Sequence, residues 1–450
     1  MAESGVYVDM ARGGAAGSVP HPLPPPLDVV LERGCPVSGL EDLLLEVGDV
    51  EALAVWHAMR PALEAACRLR YRVVRAGESI LSFVPGVSLQ AAVDTTCGGR
   101  VRLSRFAHVR RDRDVLVLDS PRATGRVEME AVTGVELVAH LATAESVDRL
   151  TERLGGGTEW VAAAIAVLQS AGLVLPADDD GSTLEDRDVH AAGWEFHDLV
   201  LHERSRSYRR DLRVGATYRF GDTAGKYEEP GARRRESTTI PLARPDIEAL
   251  AERDPPFTRV LESRRSRRFH GATPIGIEQL GEFLFRTARV TPLDVDGSGR
   301  SDARYRLYPG GGACHPLEVY ALVARCAGLA PGCYHYLADA HALDPVDADE
   351  TAVQSILGQS AVPMQRGSTQ QVQLVFTARF HRINRRYEGN AYALVLQEVG
   401  ALYQTMYLVA TAMGLAPCAV GGGNADAFAR LIDTDPLEEA SVGAFVLGRP

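Results

Sequence analysis

Arg264-Arg265-Ser266-Arg267-Arg268 and, about forty residues later, Pro309-Gly310-Gly311-Gly312-Ala313-Cys314-His315-Pro316 are the two stretches that decide how this chain reads. Forked guanidinium groups beside a hydroxyl match a phosphate dianion. Three consecutive glycines cost backbone entropy that an ordinary turn rarely needs. They let main-chain amides approach a flat ligand where side chains would collide. Taken singly, the first stretch also fits a solvated surface and the second a generous hairpin.

Their surroundings narrow the choice. The arginines follow Asp254-Pro255-Pro256 and an apolar turn containing Val260 and Leu261, near the end of a helical pattern, and they precede Phe269-His270-Gly271. The first glycine run joins two strand-like segments, 304–308 and 317–324. A second run, Gly421-Gly422-Gly423, follows Ala416-Pro417-Cys418-Ala419-Val420. A ligand with a phosphate at one end and a planar ring at the other, flavin mononucleotide (FMN), meets both demands. Backbone groups at the second run would then face the ring edge.

At 450 residues and 46% hydrophobic, the chain is long enough for two or three domains with separate cores. A net charge of −11 argues against nucleic acid as the main partner, because such binding is driven by counterion release at basic surfaces. Small molecules or a peptide fit better. Seven cysteines at 35, 67, 97, 314, 326, 333 and 418 form neither a C-x-x-C pair nor metal-finger spacing, which predicts a reduced cytoplasmic protein without a metal. Residues 1–26, with Gly13-Gly14 and a proline run, read as a disordered tail and lack the pattern of a signal peptide. No apolar run is long enough to cross a membrane, since Pro417 and the glycines after it break the best candidate, 405–420.

Residues 27–100 read as helix (50–67), strand, hairpin at Ala76-Gly77-Glu78, strand. Residues 101–176 read as a second hairpin (101–109 and 115–118) followed by helices at 133–141 and 158–171 that end before Leu173-Val174-Leu175-Pro176. Both segments suggest small winged-helix-like modules. Residues 177–244, with Asp178-Asp179-Asp180-Gly181-Ser182 and a charged, Gly/Pro-containing stretch at 221–240, read as a linker. The catalytic part is expected over 245–450, an α+β domain. Its helix pattern is marked by Ile277, Leu280, Leu284 and Ala288, its strands lie near 317–324, 372–378 and 442–447, and its segment 392–413 is apolar almost all round.

The order of motifs supports a more specific reading. Arg-Arg-Ser-x-Arg, then Tyr-Pro-Gly-Gly-Gly-Ala-Cys-His-Pro-Leu-Glu-Val-Tyr, then Gly332-Cys333-Tyr334-His335-Tyr336, then Gly414-Leu415-Ala416-Pro417-Cys418 with three glycines, resembles the SagB/ThcOx branch of nitroreductase-like flavoproteins, most closely the cyanobactin-oxidase type. These are azoline dehydrogenases of ribosomal peptide natural-product pathways. The resemblance covers about residues 190–450. It implies a nitroreductase-like FMN-binding domain preceded by two winged-helix-like peptide-binding modules, a homodimer with flavin between subunits, an azoline-containing precursor peptide as substrate and a cyclodehydratase as pathway partner. By the same resemblance Arg264, Arg265, Ser266 and Arg268 hold the FMN phosphate. Pro309, Gly310, Gly311, Gly312 and Ala313 line the isoalloxazine, and Val420, Gly421 and Gly422 lie near its N5 side.

Three differences bear on chemistry. The family loop usually reads Pro-Ser-Gly-Gly-Ala-Arg-His, whereas this chain has Gly310 for the serine and Cys314 for the arginine, so flavin contacts must lean on backbone. The Lys-Tyr pair of many relatives is here Arg386-Tyr387. Arginine stays protonated and cannot serve as the base. Tyr387 is therefore the expected proton acceptor, with Arg386 offsetting negative charge. His315 and Cys314 lack a visible activating partner and read as packing residues. The hairpin with Arg100, Arg102, Arg105, Arg110, Arg111 and Arg113 fits either a solvated edge or an acidic leader peptide, added as a strand. Two other functions remain open: an NAD(P)H-dependent nitroreductase using the same flavin clamp, and a non-catalytic peptide-recruiting scaffold.

Overall fold

The computed structural model describes residues 4–11, 27, 30–32, 35–37, 40, 50–89, 99–206, 209, 211–220, 239–292, 304–360, 364 and 370–450. The chain divides into two compact units, Met1–Val214 and Gly215–Pro450.

In the first unit an antiparallel seven-stranded sheet runs in the order Cys35–Pro36, Gly5–Met10, Leu69–Arg75, Glu78–Pro85, Gly125–Met129, Val115–Asp119, His108–Asp112. Gly5–Met10 lies inside the stretch expected as a disordered tail. It is a strand because Val6 and Val8 alternate into the core opposite Val73 and Tyr71. A smaller sheet joins Val174–Ala177, Arg100–Leu103 and Glu145–Ser146. One apolar core runs from Val6 to Val174, including Trp160, Val161 and the buried run 163–168 of the helix Thr158–Ser170. The boundary expected at residue 100 therefore falls inside a single packed body.

The hairpin expected at 101–109 is broken for a local reason. Glu185 is buried and accepts from Ser104 Oγ at 2.8 Å and Arg105 N at 2.9 Å, so the chain turns there and enters a second sheet. That glutamate belongs to the helix Leu184–Arg187, in the stretch expected as a linker. Arg209, also from that stretch, bridges Asp119 and Asp211 at 2.7 Å each. Burial of these charges requires partners, and the partners tie residues 184–211 to the first unit. Residues 221–238, the charged part of the expected linker, lie outside the described residues.

The second unit is built on another antiparallel seven-stranded sheet, ordered Ile240–Pro241, Ala342–Val346, Gly332–Leu337, Leu317–Val323, Val372–Arg379, Glu439–Gly448, Ala416–Val420. Its central strands are buried on both faces, as apolar runs without alternation imply. On one face Leu317, Val319, Ala321 and Val323 pack with Leu280, Phe283 and Leu284 of the helix Ile277–Ala288 and with Val395, Val399, Leu402 and Met406 of the helix Ala391–Ala412. On the other, Tyr320 and Leu322 pack with Val353, Ile356 and Leu357 of Glu350–Gln359 and Phe428 of Ala425–Leu431. This is a mixed helix-and-sheet domain.

Candidate active site

The arginine stretch begins where the helix Phe257–Ser263 ends. Arg265 Nη1 donates to the carbonyls of Glu262 and Arg264 at 2.9 Å each, so this cation caps its own helix terminus. Arg264 lies 5.2 Å from the ring centroid of Tyr407. Ser266 Oγ and Tyr407 Oη share a hydrogen bond of 2.8 Å, and Ala419 N donates to the same phenol oxygen at 2.8 Å. Arg267 N donates to the Pro417 carbonyl at 2.8 Å. The stretch is thus laced to the strand Ala416–Val420 through a tyrosine of the long helix. Ser266, Arg267, Arg268 and Phe269 line a shallow recess of about 320 Å³.

The first glycine run sits farther toward the start of the same helix. A β-carbon on Gly310 would lie 2.5 Å from Glu398 Oε2, and one on Gly311 would lie 3.2 Å from Leu394. One on Gly312 would lie 2.4 Å from Tyr387 Oη and 2.8 Å from Arg386 Cζ, and Gly312 also adopts φ +58°. The glycines are required by this chain's own side chains. Arg386 Nη1 donates to the Gly312 carbonyl at 2.7 Å, which brings both expected catalytic residues against the loop. Pro309 and Ala313 at its ends are exposed. Burial pushes the Cys314 thiol up, against a smaller opposing pull from Arg386, so it is not an activated nucleophile.

The second glycine run differs. Gly421 and Gly422 are exposed, with nothing within 4 Å of an added β-carbon, while Val420 is buried and its carbonyl accepts from Tyr403 Oη at 3.0 Å. Tyr403 Oη also accepts from Ala444 N at 3.1 Å. Tyr403 and Tyr407, four residues apart on one helix face, therefore hold the strand that leads into this run. From Glu398 to Tyr407 is nine residues, about 14 Å along the axis.

Sequence reasoning passed over these tyrosines, although their i, i+4 spacing was a usable signal. It also missed a buried charge network under the loop. Glu318 Oε1 accepts from Arg382 Nη1 at 2.7 Å, its other oxygen lies 2.9 Å from His335 Nε2, and Arg382 also donates to the His315 carbonyl at 3.3 Å. Arg379 reaches Glu439 at 3.0 Å, and Glu439 accepts from Tyr320 and Thr377. Burial by itself would raise the Glu318 carboxyl. The His335 hydrogen bond and the Arg379 and Arg382 guanidiniums overcome it and hold that carboxyl well below the usual range. The network fixes the backbone at His315, whose φ is +43°.

Residues 101–211 match the family model of the cyanobactin oxidase ThcOx, and residues 261–449 match that of the nitroreductase family. Two separate segments of the chain are therefore similar to known families, the first to ThcOx and the second to the nitroreductases. Similar proteins include MJ1384 of Methanocaldococcus jannaschii, which carries a nitroreductase name, 28% identical over 41% of this chain and 84% of that protein. The microcin B17-processing protein McbC of Escherichia coli is 29% identical over 41% of this chain and 71% of its own length. The trifolitoxin-processing protein TfxB of Rhizobium leguminosarum bv. trifolii is 30% identical over 31% of this chain, and the match covers 39% of TfxB.

Within residues 261–449 the lining of the recess, the Ser266 hydroxyl with Arg267 and Arg268, fits a ligand of the FMN kind at its phosphate end, and separately the exposed Gly421 and Gly422 leave open space at the second glycine run. The inner side of the first glycine run is filled by Glu398, Leu394, Arg386 and Tyr387, so only its outer side can face a ring. Among the described residues no group of three or more His, Cys, Asp or Glu could hold a metal ion, and no helix is long and apolar enough to cross a membrane.

Proposed function

We propose that this chain is an FMN-dependent dehydrogenase that converts thiazoline or oxazoline rings of a ribosomally made peptide to thiazole or oxazole. The observation that carries the reading is the placement of a phosphate-suited recess and the Gly312–Arg386–Tyr387 cluster along one helix of a nitroreductase-family domain. The names of McbC and TfxB, both peptide-processing proteins, support a peptide substrate. FMN, when bound, supplies a two-electron acceptor for the dehydrogenation.

The chain's own residues do the rest. Ser266, Arg264 and Arg268, with Arg265 holding the helix end in place, bind the phosphate. Pro309, Gly310, Gly311, Gly312 and Ala313 on one side and Val420, Gly421 and Gly422 on the other bound the ring. Arg386 fixes the Gly312 carbonyl and offsets negative charge at Tyr387, whose Oη takes the proton lost from the azoline carbon. Loss of that proton, together with the second hydrogen and two electrons that bound FMN would accept, makes the heterocycle aromatic, which favours the forward direction.

The first unit is the peptide-binding part in this proposal, as two winged-helix-like elements within one body, with the exposed edge strand His108–Asp112 as a surface for a leader peptide. A pathway cyclodehydratase delivers the azoline. Tyr392 and Leu396, exposed on the long helix, are the apolar contacts of a homodimer. The setting is cytoplasmic. An absorption spectrum of the purified protein should show bound flavin, and an azoline peptide should lose about two mass units, the two hydrogens removed. A colourless protein that takes up no FMN and leaves the peptide mass unchanged ends the proposal. The similarity to MJ1384 keeps a nitroreductase activity as the second reading, and rapid bleaching of the flavin by NADPH would favour it.

A further inference from the structure

The turn that carries Arg386 and Tyr387 is covered by a segment between the two matched stretches, which end at 211 and begin at 261. Gly215–Ala216 pairs antiparallel with Tyr387–Glu388. Thr217 Oγ1 donates to Glu388 Oε2 at 3.0 Å, and Tyr218 N donates to the Arg386 carbonyl at 3.2 Å. These bonds place the Tyr218 ring centroid 5.6 Å from the Arg386 guanidinium, whose distance to the Tyr387 ring is 5.5 Å. One cation thus serves two phenol rings while it holds the Gly312 carbonyl.

Two properties of Tyr218 have no explanation in the packing of the unit. Its φ is +48°, in the left-handed region that bulky side chains avoid, and such strain persists only where surrounding bonds enforce it. Its side chain is nevertheless 56% exposed, so the strained backbone does not serve to bury the ring. An aromatic ring whose backbone is bonded to the turn that carries Tyr387, which shares the Arg386 cation with Tyr387 and is left open, is suited to receive another flat ring.

We propose that Tyr218 is a substrate-positioning residue that stacks on the five-membered heterocycle of the peptide and presents it to Tyr387. This rests on the azoline reading above. The chemistry selects a planar ring over the open-chain residue that precedes it, because only the ring offers a face for offset stacking. Arg386 supports the stack from the opposite side through its attraction to the Tyr218 ring.

The test is equilibrium binding of a short synthetic peptide, glycine-thiazole-glycine, to the flavin-loaded full chain, beside the same peptide with cysteine in place of thiazole. This product-like ligand undergoes no turnover. Wild type should prefer the thiazole peptide. Tyr218→Ala should weaken that binding by about tenfold and leave the cysteine peptide unaffected, and Tyr218→Phe should restore the preference. With an azoline peptide as substrate, the loss in Tyr218→Ala should fall on KM rather than kcat. Tyr218→Leu, which keeps apolar bulk without a ring, gives the same answer if the alanine protein does not fold. Equal thiazole affinity in wild type and either ringless variant overturns the proposal. Absence of flavin or of azoline turnover in the wild type would instead strike the dehydrogenase reading, whatever Tyr218 does.

Discussion

The two ends of the helix Ala391–Ala412 solve opposite problems. Near its start, the glycine run lies against Leu394 and Glu398, above buried charges, and is held so closely that no β-carbon fits at Gly310 or Gly312 without displacing a side chain. Near its end, the arginine stretch lies on the surface and is tied down through single hydrogen bonds to Tyr407 and Pro417. One end is shaped by steric exclusion and the other by donors. A flat ring needs a wall that does not move, whereas a phosphate needs hydrogen bonds and cations that can adjust to it.

If that contrast holds, damage at the buried end should cost more than damage at the exposed end. The largest effect is expected for Glu318→Gln, which leaves Arg382 and Arg379 short of a charge partner in the core. We expect a loss of roughly 3–5 kcal/mol by denaturant unfolding. The sign of its pH dependence follows from a folded carboxyl held below its ordinary range. The stabilisation is fully present above the unfolded value of about 4.3 and is lost as pH falls through the lower folded value, so wild type and variant should converge only in strong acid. Convergence near neutral pH would show that the network does not carry the loop.

Tyr387→Phe comes next. On the proposed function, removal of its hydroxyl as proton acceptor should lower azole formation at least about a hundredfold, with the flavin spectrum retained. Unchanged azole formation would remove the assignment. The sharpest comparison sets Gly312→Ala against Gly422→Ala. The first places a side chain at φ +58° and 2.4 Å from Tyr387 Oη, and should cost about 1 kcal/mol and displace that tyrosine. The second enters open space and should change stability by less than about 0.5 kcal/mol. Equal effects would erase the distinction between the two glycine runs. A loss similar to that of Gly312→Ala is expected for Tyr407→Phe, which deprives Ser266 and the Ala419 amide of one shared oxygen. It should cost about 1 kcal/mol in thermal or denaturant melts and weaken FMN binding measured by fluorescence.

The second half of the chain was the more readable. The strand expected at 372–378 is Val372–Arg379, and the helix expected at 392–413 is Ala391–Ala412, because both are continuous apolar patterns whose period is set by neighbours. The conspicuous glycines did mark a place of close approach. What they approach was not readable: Glu398 is 88 positions from Gly310, and nothing local in either residue names the other. In the first half, long-range pairing overrode local pattern. Gly5–Met10 became a strand only because Leu69–Arg75 was there to pair with it, and the linker reading failed at Glu185 and Arg209, which are buried charges with partners about 80 and 90 positions away.

In the second unit the amino-acid order alone therefore settled which segments coil or extend, where backbone had to be bare of side chains, and where cations were gathered. Packing alone settled that Arg265 caps a helix, that Arg386 grips Gly312, and that Glu318 meets Arg382 across 64 positions. The division has a physical origin. Helix and strand preferences arise from steric and rotamer effects within a few residues, whereas the partner of a buried charge is fixed only when distant segments have been brought within hydrogen-bonding reach.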